Sequence, residues 1–405
     1  MSLWLVLLHG GCGTADRGTD SPVDSAPDTD SGDTNTDSGD TDSGDTDPDT
    51  APPDDTAETS DPCDEPDDPE RAMGWPDLLD RLQVEGCLST ADQDAAIAFV
   101  DTFYAEQDVW CDAAYRLSSP DGLSFSGTPE LVREHASVSD VTIAADGAHV
   151  LVYNDLTPGL FAATVRGDPA RFWREGLVGV GGLGLSTDSG AGFVEVPLDL
   201  HLPRLALVVD PDIALRPAGD YRIVTFAIAY EELDGVQWDP LAMGKPHDIY
   251  RAVSSDFRSF PAPVHVLASE IGQRGGSDPT VLDLPDGEIL FLGDFTELLL
   301  GWYAPKGNYP AFGSMPDVLG GLPVSGPKAV DDPDGPYRLY YVHQANGSTW
   351  LATGEDGRAW TDVGLASDLP DVHSPSVARD PGGTWWMYFN RREPGCMAKA
   401  RPQRP

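Results

Sequence analysis

The chain has 405 residues, of which 68 are acidic and 25 basic, giving a formal net charge of −43 and a pI near 4.1. Such a surface repels phosphate backbones and excludes nucleic-acid binding built on Lys and Arg. The length allows two average domains, or one large all-β domain with extras.

The N-terminus reads "MSLWLVLLHGGCG". Its apolar run, Leu3 to Leu8, is too short to cross a bilayer as a helix. It has the form of a secretion-signal core ending in small residues before Cys12. This resembles a bacterial lipoprotein signal. The resemblance implies that residues 1–12 are a signal, that Cys12 is lipidated, and that the chain sits at the cell envelope or surface, or is secreted, touching membrane only through its lipid. Residues 13–62 follow as an Asp/Thr/Ser/Gly tether. From Asp16 to Glu70 there are 21 acidic residues and one Arg. With almost nothing apolar to bury, the tether is expected to be disordered and extended by self-repulsion. "DTDSGD" spaces carboxylates like a calcium loop, but the bidentate Glu that closes a twelve-residue loop is missing.

With Cys12 set aside, Cys63, Cys87, Cys111 and Cys396 form an even set suited to an oxidising compartment. Four cysteines allow three pairings, of which Cys63–Cys87 with Cys111–Cys396 is the expected one. No CxxC or Cys/His spacing for zinc exists, so no metal is expected. Residues 63–111 read as a small helical cap. Ser89 and Thr90 offer an N-cap, and Ile97, Ala98, Phe103 and Tyr104 belong to an apolar stripe at helical spacing that packs on the following domain.

From Ala114 the texture is β, with short β-branched or aromatic runs broken by Asp-Gly, Pro-Gly and Gly-Gly turns. One phrase recurs: "SDVTIAADGAHVLVYN" from Ser139, "VDPDIALRPAGDYRIVTFA" from Val209, "SDPTVLDLPDGEILFLGDF" from Ser277, "SGPKAVDDPDGPYRLYYVH" from Ser325 and "HSPSVARDPGGTWWMYFN" from His373. A second element precedes most copies by about twenty residues: "SSPDGLSF", "STDSGAGF", "VSSDFRSF", a degenerate "YAPKGNYPAF" and "ATGEDGRAW". In these turns Ser, Thr and Asp cap backbone amides, Gly takes the left-handed position and an aromatic packs beneath. Repetition at this period predicts stacked units that bury one another's faces, hence an all-β, five-bladed β-propeller over 112–395 with a tail at 396–405. The turns resemble the Asp-box of sialidase-type propellers, and the whole region resembles the five-bladed propellers of arabinanases, xylosidases and invertases.

The residues opening the innermost strand of each copy would ring one funnel. Aligned copy by copy, this column reads Asp140, Asp210, Asp278, Gly326 and Ser374. Converging carboxylates suit glycoside hydrolysis, with one ionised as base or nucleophile and another protonating the leaving oxygen. The resemblance implies that Asp140 is the base and that Asp210 or Asp278 tunes it. The family's acid, a Glu in a Glu-Gly-Pro phrase, does not carry over, because the phrase here is Ser325-Gly326-Pro327. Either another group such as His373 or Glu297 donates the proton, or the funnel binds without cutting, as a glycan- or protein-docking module. An Asp before Pro at a strand start can also do no more than cap backbone amides. Trp302, Tyr303 and Tyr309, with Trp173, are candidates for stacking on sugar faces, and Lys328 and His373 for polar contacts. One of Trp385 and Trp386 is expected in the core. Arg222, Arg274, Arg338 and Arg391 fall in no sialidase triad pattern. "GLVGVGGLGLS" lacks the lysine of a phosphate loop and reads as a β segment. The expected ligand is a carbohydrate and the expected state a monomer. No cofactor is expected, and an axial calcium has no support in the sequence.

Overall fold

The computed structural model describes residues 90, 93–94, 97–98, 111–157, 183–188, 192–201, 205–229, 248–266, 276–294, 298–307, 309, 311–315, 318–343 and 347–392. Of the expected helical cap, Thr90, Gln93, Asp94, Ile97 and Ala98 are helical, with Ile97 buried. Cys111 at its end is described and buried; the rest of it lies outside the described residues, as do the signal segment with Cys12, the tether, Trp173, Glu297 and the tail.

The first two strands, β1 (Asp112–Ser119) and β2 (Glu130–Glu134), pair with each other and find their other partner only at the far end of the region. Blade 1 follows as β3 (Ala136–Ile143), β4 (His149–Asp155), β5 (Leu183–Asp188) and β6 (Val194–Glu195). A short strand, β7 (Asp199–Leu200), then leads to blade 2: β8 (Leu205–Leu215), β9 (Tyr221–Ala229), β10 (Asp248–Ser254) and, after β11 (Ser259–Phe260), β12 (Val264–His265). β11 and β7 pair in parallel and tie blade 2 to blade 1. Blade 3 is β13 (Gly276–Leu284), β14 (Gly287–Asp294), β15 (Leu299–Pro305) and β16 (Gly313–Ser314). Blade 4 is β17 (Val324–Val330), β18 (Tyr337–His343), β19 (Ser348–Gly354) and β20 (Thr361–Ser367). Finally β21 (His373–Arg379) and β22 (Trp385–Arg392) pair with β1 and β2 in the order β21-β22-β1-β2, which makes blade 5 from both ends of the region.

The innermost strands β3, β8, β13, β17 and β21 touch one another in a closed ring. The molecule is therefore a five-bladed β-propeller, closed by the pairing of Asp112–Ser119 against Trp385–Arg392. Cys111, adjoining the closing strand, is disulfide-bonded to a cysteine outside the described residues.

The second strand of each blade explains why these segments read as unbroken apolar runs. Side chains alternate across a strand, so consecutive residues enter opposite faces. Here both faces are seams between blades. Leu151 faces blade 5 and Val152 faces blade 2. Ile223 and Val224, Leu290 and Phe291, Leu339 and Tyr340, and Phe389 and Tyr388 divide in the same way among the remaining seams. Each such Leu, Ile or Phe contributes roughly 1.5–3 kcal/mol by burial.

The turns behave as their composition dictates. In Ser118–Phe125 the Gly122 amide donates to Ser119 Oγ at 3.0 Å and the Leu123 amide to Asp121 Oδ1 at 2.9 Å, with Phe125 buried beneath. Asp256 caps Arg258, and Asp356 caps Arg358 and Ala359, in the same manner. They join the third to the fourth strand of a blade, so each turn belongs with the hairpin before it. The sequence unit, a turn followed by a hairpin, cuts across two blades. Gly122 has φ near +70°, and a Cβ there would lie 2.5 Å from Arg338 Nη1 and 2.7 Å from the Trp385 ring. Gly122→Ala is expected to cost about 1–3 kcal/mol. Gly127→Ala, at φ +114° with open space around it, should cost less in the same urea titration. Equal shifts would mean that crowding plays no part.

Candidate functional site

Every inner strand carries a β-bulge near its start, where two residues lose their partners on the next strand. The first of the two has positive φ in all five: Val138, Asp210, Asp278, Gly326 and Ser374. In blades 2 to 5 the second is proline (Pro211, Pro279, Pro327, Pro375). Proline suits a place where the ladder is broken, since it brings no N–H. Blade 1 has Ser139 instead, and its N–H is taken by Asn390 Oδ1 at 2.6 Å.

This corrects the column read from sequence. Without a proline to mark its bulge, the first copy is aligned two residues out of step. Asp140 does not share a level with Asp210 and Asp278, where the fifth member is Val138. Its true counterparts are Asp212, Thr280, Lys328 and Ser376.

These five side chains form the hub. Asp140 Oδ2 accepts the Ile213 N–H of the next blade at 2.6 Å, and Asp212 Oδ2 accepts that of Val281 at 3.4 Å. Thr280 Oγ1 accepts the Ala329 N–H at 3.3 Å, and Ser376 Oγ that of Val141 at 2.9 Å. In four of five blades the hub residue thus latches its neighbour's inner strand. Lys328 cannot accept, and instead crosses the axis. Its Nζ lies 2.7 Å from Asp140 Oδ2 and 2.6 Å from Asp212 Oδ1. Thr280 donates to Asp212 Oδ1 at 3.0 Å, and Ser376 donates to Asp140 Oδ1. Lys328, Asp140 and Asp212 are 6%, 5% and 2% exposed. Burial lifts the Asp140 carboxyl to about 6, Lys328 pulling it down and the Asp212 charge pushing it up. Burial opposes the Lys328 charge, but the two carboxylates hold its pKa above the usual lysine value.

Two residues closer to the strand starts lies the mouth of the funnel. The described strands β4 and β9 end at this side, whereas the opposite end is built of tight turns such as Ala144–Ala148 and Asp380–Thr384. At the mouth, Asp210 Oδ2 accepts the Asp278 N–H at 3.2 Å, while its Oδ1 has no hydrogen-bond partner among the described residues. Burial, reinforced by the Asp278 charge, pushes the Asp210 carboxyl well above the ordinary range. Asp210 is 2% exposed and Asp278 half-buried. Around the ring, His373 Nε2 sits 3.5 Å from Oδ2 of the buried Asp112, which also accepts the Ser137 hydroxyl at 2.8 Å. Asp112 was not among the expected residues. It reaches the mouth only because β1 closes the ring.

The candidate stacking residues lie elsewhere. Trp302, 3% exposed, packs in the seam between blades 2 and 3 and leaves no ring face for a ligand. Tyr309 lies against the same seam under Arg251, whose guanidinium carbon is 4.3 Å from its ring centre. Tyr303 bonds the Asp286 carbonyl at the tight-turn end. Lys328 belongs to the hub and not to an open contact surface. Of the tryptophan pair, Trp385 is the core member. Arg222 and Arg338 are committed to Asp283 and Asp332 at 2.6 Å each. Beyond the hub, a cavity of about 640 Å³ opens at the tight-turn end, with Thr142, Leu215, Arg222, Asp283 and Arg379 in its wall. No group of three or more His, Cys, Asp or Glu side chains placed to hold a metal occurs among the described residues.

No family model matches the chain, and no curated protein does. Several solved structures are similar to it over part of their length. The GH43 protein BlXynB from Bacillus licheniformis matches at 11% identity and a TM-score of 0.45, over 64% of this chain and 49% of its own. A protein of unknown function from Dyadobacter fermentans matches at 13% identity and 0.45, over 69% and 84%. The GH32 β-fructofuranosidase BmSUC1 from Bombyx mori matches at 10% and 0.44, over 77% and 65%. This chain therefore spans about half the length of the first of them. At such identities and TM-scores none of the three carries an activity to this chain.

Proposed function

We propose that the chain handles carbohydrate at the mouth of its propeller, and that Asp210 and Asp278 form the acid–base pair of a glycoside hydrolysis there. The carrying observation is the bond from the Asp278 backbone to Asp210, which leaves the second Asp210 oxygen buried and unbonded. Two neighbouring carboxyl groups cannot both ionise cheaply, and the more buried one keeps the proton. Asp210 then holds the proton of the pair. The more exposed Asp278 meets the sugar as base or nucleophile, the division of labour that glycoside cleavage needs. His373, 3.5 Å from Asp112, is a further polar group at the same end, placed to contact the sugar. The resemblance of the repeat region to arabinanase-like propellers supports sugar as the ligand class. The lipoprotein-like start supports action at a bacterial envelope, where Cys12 would anchor the chain as a monomer.

The test is sugar release from arabinan, xylan, fructan and mannan, beside binding on a glycan array. Release from at least one polymer is expected. Binding without release overturns the hydrolytic assignment and leaves a glycan-binding module, while neither binding nor release sinks the carbohydrate reading.

A further inference from the structure

We propose that Lys328 and Asp140 become joined by an amide bond, formed by the folded chain itself with loss of one water, so that the hub is a covalent cross-link between blades 4 and 1. This rests on the hub alone and is independent of what the mouth binds.

An uncatalysed amide does not form between lysine and aspartate in water, because the amine is protonated, the carboxylate is a poor electrophile and water competes. Each obstacle is reduced here by a named group. The nucleophile Lys328 Nζ is held 2.7 Å from Asp140 Oδ2, one C–O bond from the carbon it must attack. Placement of this kind replaces an encounter in solution by a near-attack geometry. Asp212 Oδ1, 2.6 Å from the same nitrogen, is the base that takes its proton. The Ile213 N–H, 2.6 Å from Asp140 Oδ2, points at the oxygen that gathers negative charge in the tetrahedral intermediate. Ser376 donates to Oδ1, the oxygen that departs, and is itself steadied by the Val141 N–H at 2.9 Å. All three ionisable groups are only 2–6% exposed, so little bulk water reaches the carbon, although Lys328 borders the cavity beyond the hub. Burial also raises the Asp140 carboxyl towards neutrality, which favours its reactive, protonated form.

The roles of the two aspartates follow from their donors. Asp140 has the short backbone donor, at 2.6 Å, whereas the Val281 N–H reaches Asp212 only at 3.4 Å. Asp140 is therefore the electrophile and Asp212 the relay. The balance closes without any co-reactant. Of the three ammonium protons, one passes through Asp212 to make Asp140 a neutral acid. The free amine forms the N–C bond and the C–Oδ1 bond breaks. A second proton passes through Asp212 to the departing hydroxyl, which leaves as water, and the third stays on the amide nitrogen. Asp212 ends as it began. Nothing is oxidised or reduced.

The full chain, reduced and denatured, is weighed and then digested with trypsin. The expected result is a mass lower than the sequence requires by one water, no cleavage after Lys328, and a branched peptide holding both Lys328 and Asp140. Lys328→Arg should restore the full mass, and Asp140→Asn should form the same amide with loss of ammonia. A full-mass wild-type chain with normal cleavage at Lys328, after prolonged incubation of folded protein near the Asp140 pKa, overturns the proposal. A water deficit that survives in Lys328→Arg overturns it as well, since the loss then arises elsewhere.

Discussion

Compared with the wild-type chain before its hub amide has formed, Lys328→Met is expected to destabilise the propeller by about 3–5 kcal/mol, the usual cost of removing one partner from a buried ion pair. The loss comes less from the missing attraction than from what stays behind. Asp140 and Asp212 would face each other across the axis with no cation, in a place where a carboxylate cannot be hydrated. Without the Lys328 charge that pulls it down, the Asp140 carboxyl pKa would then rise further, and the pH dependence follows from the sign. A group whose folded pKa lies above its unfolded value lends stability at low pH and loses it as pH rises through the folded pKa. In the wild-type chain before the amide forms, the same sign applies to Asp140, between the ordinary carboxyl value of 3.8 and about 6. In Lys328→Met the deficit should be largest at neutral pH and shrink on acidification. Urea titrations of both proteins across that range decide the matter. A deficit independent of pH would mean that the lost side-chain volume, and not the stranded charge, is responsible. Adding Asp140→Asn and Asp212→Asn should recover part of the loss, because amides still accept the Ile213 and Val281 N–H groups.

The same hub shows how far the sequence could be read. The five-fold phrase, the apolar second strand and the Ser/Asp/Gly turns are local patterns, and each survives in the structure because it depends on near neighbours in the chain. What failed was the alignment of one copy. Asp-Pro, Gly-Pro and Ser-Pro mark the bulge in four blades, but blade 1 has Val138-Ser139, so the eye matches Asp140 to the wrong aspartates. The signal that could have found the hub was the residue after each proline: Asp212, Thr280, Lys328 and Ser376 are all polar on strands otherwise built for burial. Asp112 offered no such signal. It gains its place against His373 through ring closure, a pairing of residues 261 apart in number that no local pattern encodes. Trp302 was misjudged for a similar reason. Alternation says that it faces one side of its strand, but not that both sides of the strand are seams.

Asp278→Asn and Asp210→Asn are expected to lower sugar release by about 10²–10⁴-fold, the range for losing a positioned acid or base, and to differ in how far they change stability. Asp210 is buried and its carboxyl is raised well above the usual range by burial and by the Asp278 charge. By the same sign rule, its ionisation costs stability as pH rises above the ordinary carboxyl value of 3.8. An amide at that position accepts the Asp278 N–H without the charge, so Asp210→Asn should stabilise the protein at neutral pH by about 0.5–2 kcal/mol. The gain should vanish in acid, where the wild-type carboxyl is protonated too. Asp278→Asn removes the charge that raises Asp210, and it should therefore shift the stability of the remaining carboxyl towards that of an ordinary buried acid, with activity still lost. Paired urea midpoints and release rates for the two variants separate a working pair from a pair of backbone caps. If Asp210→Asn is as active as the parent and less stable at every pH, the carboxyl serves only to hold the Asp278 amide. A more stable but inactive protein would instead mark Asp210 as a residue retained for chemistry against the interest of the fold.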